Sequence, residues 1–339
     1  MKKVCCFGEI LLRLSPDTEG EWLQQNSLPV FIGGAELNVA TALALWQLPV
    51  KYVSAAPANY LTRQLMQAVT QKGIDVSDFI LSGDRIGSYY LAQGSDLKNA
   101  GVIYDRNYSS FAELKTGTID WDKIFANASW FHLSAISPAL NNNIAAVCEE
   151  GLKAANQKGI PTSIDLNYRE KLWQHGRAPI NVIPQLVQYC DVVMGNIWAA
   201  DKMLGIPVSS VLGDDKNSYL QQAEATSIAI QQQFARCRQV ANTFRFDIED
   251  GIRYYASLYT NGKLYVSAQF EGNKIVDKIG SGDCFMAGLI YGNQRSLSPQ
   301  KTIDFAAAAA YSKLFIKGDA TTASVHDIES GLLSRSGKE

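Results

Sequence analysis

Short apolar runs rich in β-branched residues recur along this chain with helix-like stretches between them, and that alternation restricts its fold more than any other feature. Residues 50–55 read as a strand, 61–71 as a helix stopped at Gly73, and a new apolar run begins at Val76. The rhythm returns with a strand over 130–135, a helix over 142–157 stopped at Gly159, a strand over 160–166, a helix over 179–188, a strand over 191–194 and a helix over 199–204. Alternation of this kind predicts an α/β architecture, a mostly parallel central sheet with helices on both faces. Residues 3–12 read as the first buried strand, and 272–276 as a strand leading into Gly280.

The rhythm breaks between 85 and 111. Two strand-like runs there flank a polar turn at 94–99 with no helix between them, the mark of an inserted hairpin. With residues from about 13–32, this hairpin is expected to form a small β-sheet lid over the main sheet. Further on, 207–218 reads as a solvated loop and 219–234 as a long helix. Strands at 238–246, 252–259 and 264–270 follow, the last two joined by an Asn261-Gly262 hairpin turn. A helix at 302–315 carries an alanine run over 306–310, which close helix packing explains. With no internal repeat and no low-complexity linker, the expectation is one domain over 1–339, with lid segments at about 13–32 and 85–111 inserted in it.

Composition narrows the function classes. The 339 residues are 47% hydrophobic and 19% charged with a net charge of -2, and no Lys/Arg-rich run offers a footprint for nucleic acid. The apolar start of the chain is interrupted by Glu9 and Arg13, and no stretch approaches the ~20 apolar residues of a membrane span. Six scattered cysteines without a C-x-x-C pair, and only three histidines, argue against zinc and disulfide frameworks and for a reducing cytoplasm.

Chemistry concentrates at Lys278-Ile279-Gly280-Ser281-Gly282-Asp283, which lies between a strand-like run and a helix-like one. The first amides of a helix have no partner within it and its dipole is positive there, so glycines at that point admit a phosphate. Asp283 cannot be an anion ligand. It is either a general base for a hydroxyl that attacks a phosphoryl group or a simple helix cap. Gly33-Gly34 before the helix-like stretch from Asn38 is a second place for close backbone approach, or else a tight turn with Asn38 near the cap. In an open α/β sheet these segments, with Asn167-Tyr168-Arg169 and Asn196, gather at the carboxyl edge of the strands, where ligands bind.

Gly33-Gly34-Ala35-Glu36-Leu37-Asn38 resembles the N-terminal sugar-binding signature of the ribokinase, or PfkB-type, carbohydrate kinases, and Gly280-Ser281-Gly282-Asp283-Cys284-Phe285 resembles their C-terminal signature. Gly8-Glu9, Gly87-Ser88-Tyr89, Tyr104-Asp105-Arg106 and Asp165-Leu166-Asn167-Tyr168-Arg169 resemble the members that phosphorylate 2-keto-3-deoxygluconate. The resemblance implies a ribokinase-like fold, ATP and Mg²⁺ as cofactors, Asp283 as catalytic base and the amides of Gly280, Ser281 and Gly282 as an anion hole. It places Gly33, Gly34, Asn38, Tyr89, Tyr104, Arg106 and Arg169 at the sugar and Asn167 and Asn196 in the nucleotide and metal network. A sugar acid carries a carboxylate that neutral sugars lack, and Arg106 and Arg169 are suited to clamp it from two sides. A neutral-sugar kinase of fructokinase type, or a sensor that kept the fold and lost turnover, are the alternative functions. A homo-oligomer is the expectation where a partner covers the lid, and the other partners are the small sugar acid and ATP.

The chain departs from the family pattern at three places. Ala199 stands where Asn-x-x-Glu usually supplies a carboxylate, with Glu170 and Asp201 the acidic residues nearby. Thr243-Phe244-Arg245-Phe246-Asp247 replaces the usual Thr-x-Gly-x-x-Gly turn, and Asp277-Lys278-Ile279 replaces Asp-Thr-Thr. These departures bear on nucleotide choice and on the metal.

Overall fold

The apolar runs pair into a ten-stranded sheet. Its order is Lys263–Val266, Gly251–Thr260, Gln239–Ile248, Val192–Gly195, Thr162–Asp165, Ala128–Ser134, Lys3–Phe7, Val50–Val53 and Ile74–Asp75, with Phe270–Gly272 also paired to Gly251–Thr260. Every pair from Gln239–Ile248 to Ile74–Asp75 is parallel, and the strands beyond Gln239–Ile248 are antiparallel. This computed structural model describes residues 1–16, 22, 23, 26–92, 101–249 and 251–336. The 94–99 turn and parts of 13–32 therefore lie outside the described residues.

Lys3–Phe7 sits between Ala128–Ser134 and Val50–Val53. The chain leaves it toward one edge and later returns on its other side, so the crevice outside its carboxyl end is a switch point where ligands are received. Two buried clusters fill the sheet's two faces. One gathers Leu37, Leu43, Trp46, Phe285, Leu289 and Phe305, and the other Phe7, Phe111, Trp121, Phe131, Leu152 and Leu186.

A separate four-stranded sheet runs Val30–Gly33, Leu11–Leu14, Gly87–Tyr90 and Ile103–Asp105. The strand expected over 3–12 is thus two: Lys3–Phe7 belongs to the central sheet and Leu11–Leu14 to the small one. The break is at Gly8, where a Cβ would lie 2.0 Å from Glu36 Oε2, so only glycine lets that carboxylate in. The strand expected over 272–276 is also corrected. Pairing stops at Gly272, and the amides of Val276 and Asp277 donate instead to the Leu314 carbonyl at the end of the helix Pro299–Lys313. The Asn261-Gly262 turn forms as expected, with φ of 53° and 71° at the two residues, the pair a tight two-residue hairpin requires.

The alanine run has the anticipated physical cause. Pro299–Lys313 crosses the helix Ser281–Gln294 so closely that a Cβ on Gly288 would meet Ala306 Cα at 2.5 Å. Ser281 Oγ donates to the Ala310 carbonyl at 2.9 Å. This contact ties the first residue of Ser281–Gln294 to the end of Pro299–Lys313.

Candidate active site

The helix Ser281–Gln294 begins at Gly280, which has a left-handed φ of 74°. A Cβ there would lie 1.8 Å from the Asp319 carbonyl oxygen, so the position has both a conformational and a steric need for glycine. The helix Ala35–Leu45 begins one residue after Gly34, which has φ of 135° and where a Cβ would lie 2.5 Å from the Glu9 carbonyl oxygen. Asn38 is therefore in the first helical turn and is not its cap. The two helices bring their glycine-rich starts to a common cavity of about 580 Å³ that Asp165, Asn167 and Gly195, at the ends of two central strands, also line.

Asp283 projects into this cavity from the first turn of its helix while remaining 8% exposed. Asn38 Nδ2 donates to its Oδ2 at 2.7 Å. Burial is the chief reason its carboxyl is pushed up to about 8. The Asn38 hydrogen bond and the Arg169 charge oppose that rise, and the charges of Asp165 and Glu36 add to it. A carboxylate beside a helix start with a pKa near neutrality is suited to take a proton from a hydroxyl. It makes no capping hydrogen bond: no side chain caps this helix.

Around Asp283 the structure gathers most of the residues anticipated from the sequence. Gly34, Asn38, Tyr89, Tyr104, Arg106, Asn167, Arg169, Asn196 and the 280–282 turn all line the cavity. Gly33 does not; it ends its strand beside Tyr89 and Asp319. The two arginines are unlike. Arg106 is buried, with its Nε donating to Glu9 Oε2 at 2.6 Å, so a carboxylate of the chain already neutralises it. Arg169 is half-buried and donates through Nη1 to its neighbour's carbonyl, and its Nε is buried without a partner. Tyr89 gives its hydroxyl to Asp319 Oδ2 at 2.6 Å, and Asn196 Oδ1 caps the helix Ile197–Leu204 through the Ala199 amide.

Glu36, Asp319 and Arg13 also enter the site's surroundings, though the sequence assigned none of them a role there. Glu36 Oε1 accepts from the Ser134 amide and hydroxyl at 2.8 and 2.6 Å, tying the start of Ala35–Leu45 to the end of Ala128–Ser134. Its place inside the 33–38 signature was its only mark in the sequence. In the arm of the cavity near Thr243, Arg245 and Tyr254 face in from two paired antiparallel strands, which is why no Gly-rich turn was legible there. Glu170 and Ala199 line the cavity, whereas Asp201 does not.

Comparison with known proteins identifies the family and the fold. A family described as pfkB family carbohydrate kinase matches residues 1–324, and the chain belongs to that family. It is a carbohydrate kinase with a ribokinase-like fold. It is 28% identical over 330 residues to a 2-dehydro-3-deoxygalactonokinase of Haloferax volcanii, covering 95% of this chain and 94% of that one. It is 24% identical over 301 residues to a 2-dehydro-3-deoxygluconokinase of Bacillus subtilis, covering 86% and 83%. The crystal structure of a 2-dehydro-3-deoxygluconokinase of Thermotoga maritima superposes with a TM-score of 0.89 at 35% identity, covering 98% of this chain and all 100% of the other.

Proposed function

We propose that this kinase transfers the γ-phosphoryl group of ATP to the terminal hydroxyl of 2-keto-3-deoxygluconate or a closely similar sugar acid. The observation that carries the reading is Asp283, a buried carboxylate held by Asn38 at the open start of a helix. In this mechanism Asn38 orients one carboxylate oxygen and the other takes the proton of the attacking hydroxyl. The amides of Gly280, Ser281 and Gly282 face the transferring charge, where fixed dipoles in a dry site stabilise it without reorganising. Tyr104 in the small sheet, the proposed lid, and Arg106 just after its last strand wall the cavity and keep water from it. Arg169 takes the acceptor's carboxylate, since a guanidinium offers two parallel donors to that group. Relatives named for 2-dehydro-3-deoxy sugar acids support this choice of acceptor.

Mg²⁺ fits the residues as a cation carried by the nucleotide. No group of three His, Cys, Asp or Glu side chains among the described residues could hold a metal, and Mg²⁺ commonly keeps phosphate and water ligands. Asn167, Asn196, Glu170 and Asp165 are the residues of this chain that would meet its waters. When bound, Mg·ATP supplies the phosphoryl group and neutralises its developing charge.

The Arg106–Glu9 pair favours a second reading, a neutral-sugar kinase, because it leaves one arginine rather than two for a substrate carboxylate. An assay of ADP release over a panel of sugars and sugar acids separates the two. Turnover greatest with 2-keto-3-deoxygluconate or its galacto epimer is the expected result, and turnover confined to neutral sugars would overturn it.

A further inference from the structure

Arg13, on the strand Leu11–Leu14 of the small sheet, is fully buried. Its Nη2 donates to Asp277 Oδ2 at 3.0 Å. Its Nε lies 2.9 Å from Asp319 Oδ1, an ion pair whose angle falls short of a hydrogen bond. These two carboxylates flank the phosphate-binding turn. Asp277 Oδ1 accepts the Ile279 amide at 3.0 Å, one residue before Gly280. The Asp319 carbonyl packs on Gly280 from the other side, and its Oδ2 accepts the Tyr89 hydroxyl from a second strand of the small sheet.

Beside this cluster lies Lys313, also fully buried, whose Nζ donates to the Ile316 carbonyl and whose Cε approaches Gly280. Two buried cations, Arg13 and Lys313, therefore stand beside two buried anions, Asp277 and Asp319. Among the described residues, Arg13 alone comes from the small sheet and touches both carboxylates. A lysine in its place would keep the charge but lose the planar fork that spans two acceptors.

We propose that Arg13 is a positioning residue that sets the phosphate-binding turn from the small sheet, by holding Asp277 and Asp319 on the two flanks of Gly280. Without the fork these buried carboxylates repel each other and their grip on the turn loosens. The amides of Ser281 and Gly282 then no longer meet the transferring charge. Because those amides act chiefly on the transition state, the loss falls on turnover and spares ground-state binding.

The inference rests on the role proposed above for the turn, so its test carries two readouts, one independent of any substrate. Arg13→Lys is compared with the wild type and with Arg253→Gln, which breaks only an exposed pair with Glu271. Backbone amide exchange of the free protein over 277–284 should rise in Arg13→Lys and stay unchanged in Arg253→Gln. With the best acceptor, kcat should fall at least about tenfold while both KM values stay within about threefold, as partial loss of transition-state donors predicts. Unchanged exchange over 277–284, or kcat of the folded variant within about twofold of the wild type, overturns the proposal. Should Arg13→Lys fail to fold, Asp319→Asn is read by the same two measurements. A wild type that phosphorylates no acceptor would sink the function proposed above, while the exchange measurement would still decide the role of Arg13.

Discussion

Asn38 Nδ2 donates to Asp283 Oδ2 at 2.7 Å, joining side chains 245 residues apart in the sequence. The bond connects the first turns of two helices whose starts are both glycine-rich, Ala35–Leu45 and Ser281–Gln294. It engages one carboxylate oxygen, which in the proposed mechanism leaves the other to meet a hydroxyl. Asn38 Oδ1 remains buried without a partner, so the amide is held for its donor end.

Asp283→Asn keeps the side-chain shape and removes proton acceptance. If Asp283 is the base, kcat should fall by ~10²–10⁴-fold with nucleotide affinity preserved. A residue that served only to start the helix would tolerate the change, because asparagine caps about as well as aspartate. Stopped-flow turnover and nucleotide titration on the one variant separate these outcomes, and near-normal kcat would remove Asp283 from the mechanism.

The raised pKa of Asp283 sets two pH dependences with a defined sign. The base must be ionised, so kcat/KM should climb with pH toward an apparent pKa near 8, far above the ordinary carboxylate value of 3.8. Asp165→Asn removes a neighbouring charge that raises this pKa, and should move the profile to lower pH. Stability runs the other way. Between 3.8 and about 8 the folded chain holds a proton that the unfolded chain releases, so this group's stabilisation is complete below 3.8 and is lost as pH rises through about 8. The melting temperature of Asp283→Asn relative to the wild type should therefore increase from pH 4 to pH 8. A flat difference would mean that Asp283 titrates normally.

The parts of the architecture that were legible were those written in local pattern. Strand and helix alternation specified the parallel sheet, the Asn261-Gly262 pair specified a hairpin, and the glycines at 33, 34, 280 and 282 marked the two helix starts. What escaped the pattern was non-local. Nothing near Arg13 in the sequence tells that its partners are Asp277 and Asp319, because buried ion pairs have no periodicity. The need for glycine at Gly8, where the first strand ends, was hidden for a similar reason, since the side chain that fills the space there is Glu36 on a later helix. The pairing of Arg106 with Glu9 likewise changed what that arginine can offer a substrate.

Arg169 and Arg106 should now respond differently to substitution by alanine. Arg169 is half-buried and pairs with no carboxylate among the ion pairs described, so Arg169→Ala should leave the melting temperature nearly unchanged. Its KM for a sugar acid should rise by about tenfold to a hundredfold, the ~1.5–3 kcal/mol of a charge-assisted hydrogen bond, with little change for a neutral sugar. Arg106→Ala strands the buried Glu9 carboxylate, which typically costs ~3–5 kcal/mol, so the loss should appear first in thermal stability. Equal KM losses on acid and neutral sugars in Arg169→Ala would argue for the neutral-sugar reading.

Gly280→Ala tests the turn itself. At φ of 74° an L-residue is strained, a cost of order 1–3 kcal/mol. The added methyl would also sit 1.8 Å from the Asp319 carbonyl oxygen, a backbone atom that cannot rotate aside. Asp319 must therefore shift, and with it the carboxylate that accepts from Tyr89 and pairs with Arg13. The variant should lose melting temperature and, in the folded fraction at low temperature, lose kcat as the amides leave the phosphate. Gly282→Ala is the comparison: φ there is not left-handed, and its added methyl would meet only Met194 Cε at 3.9 Å. It should fold with near-normal stability while placing a methyl in the cavity, so its effect should fall on nucleotide or acceptor KM. Two variants two residues apart would then report strain and occupancy separately, and equal losses of stability in both would refute the role assigned to Gly280.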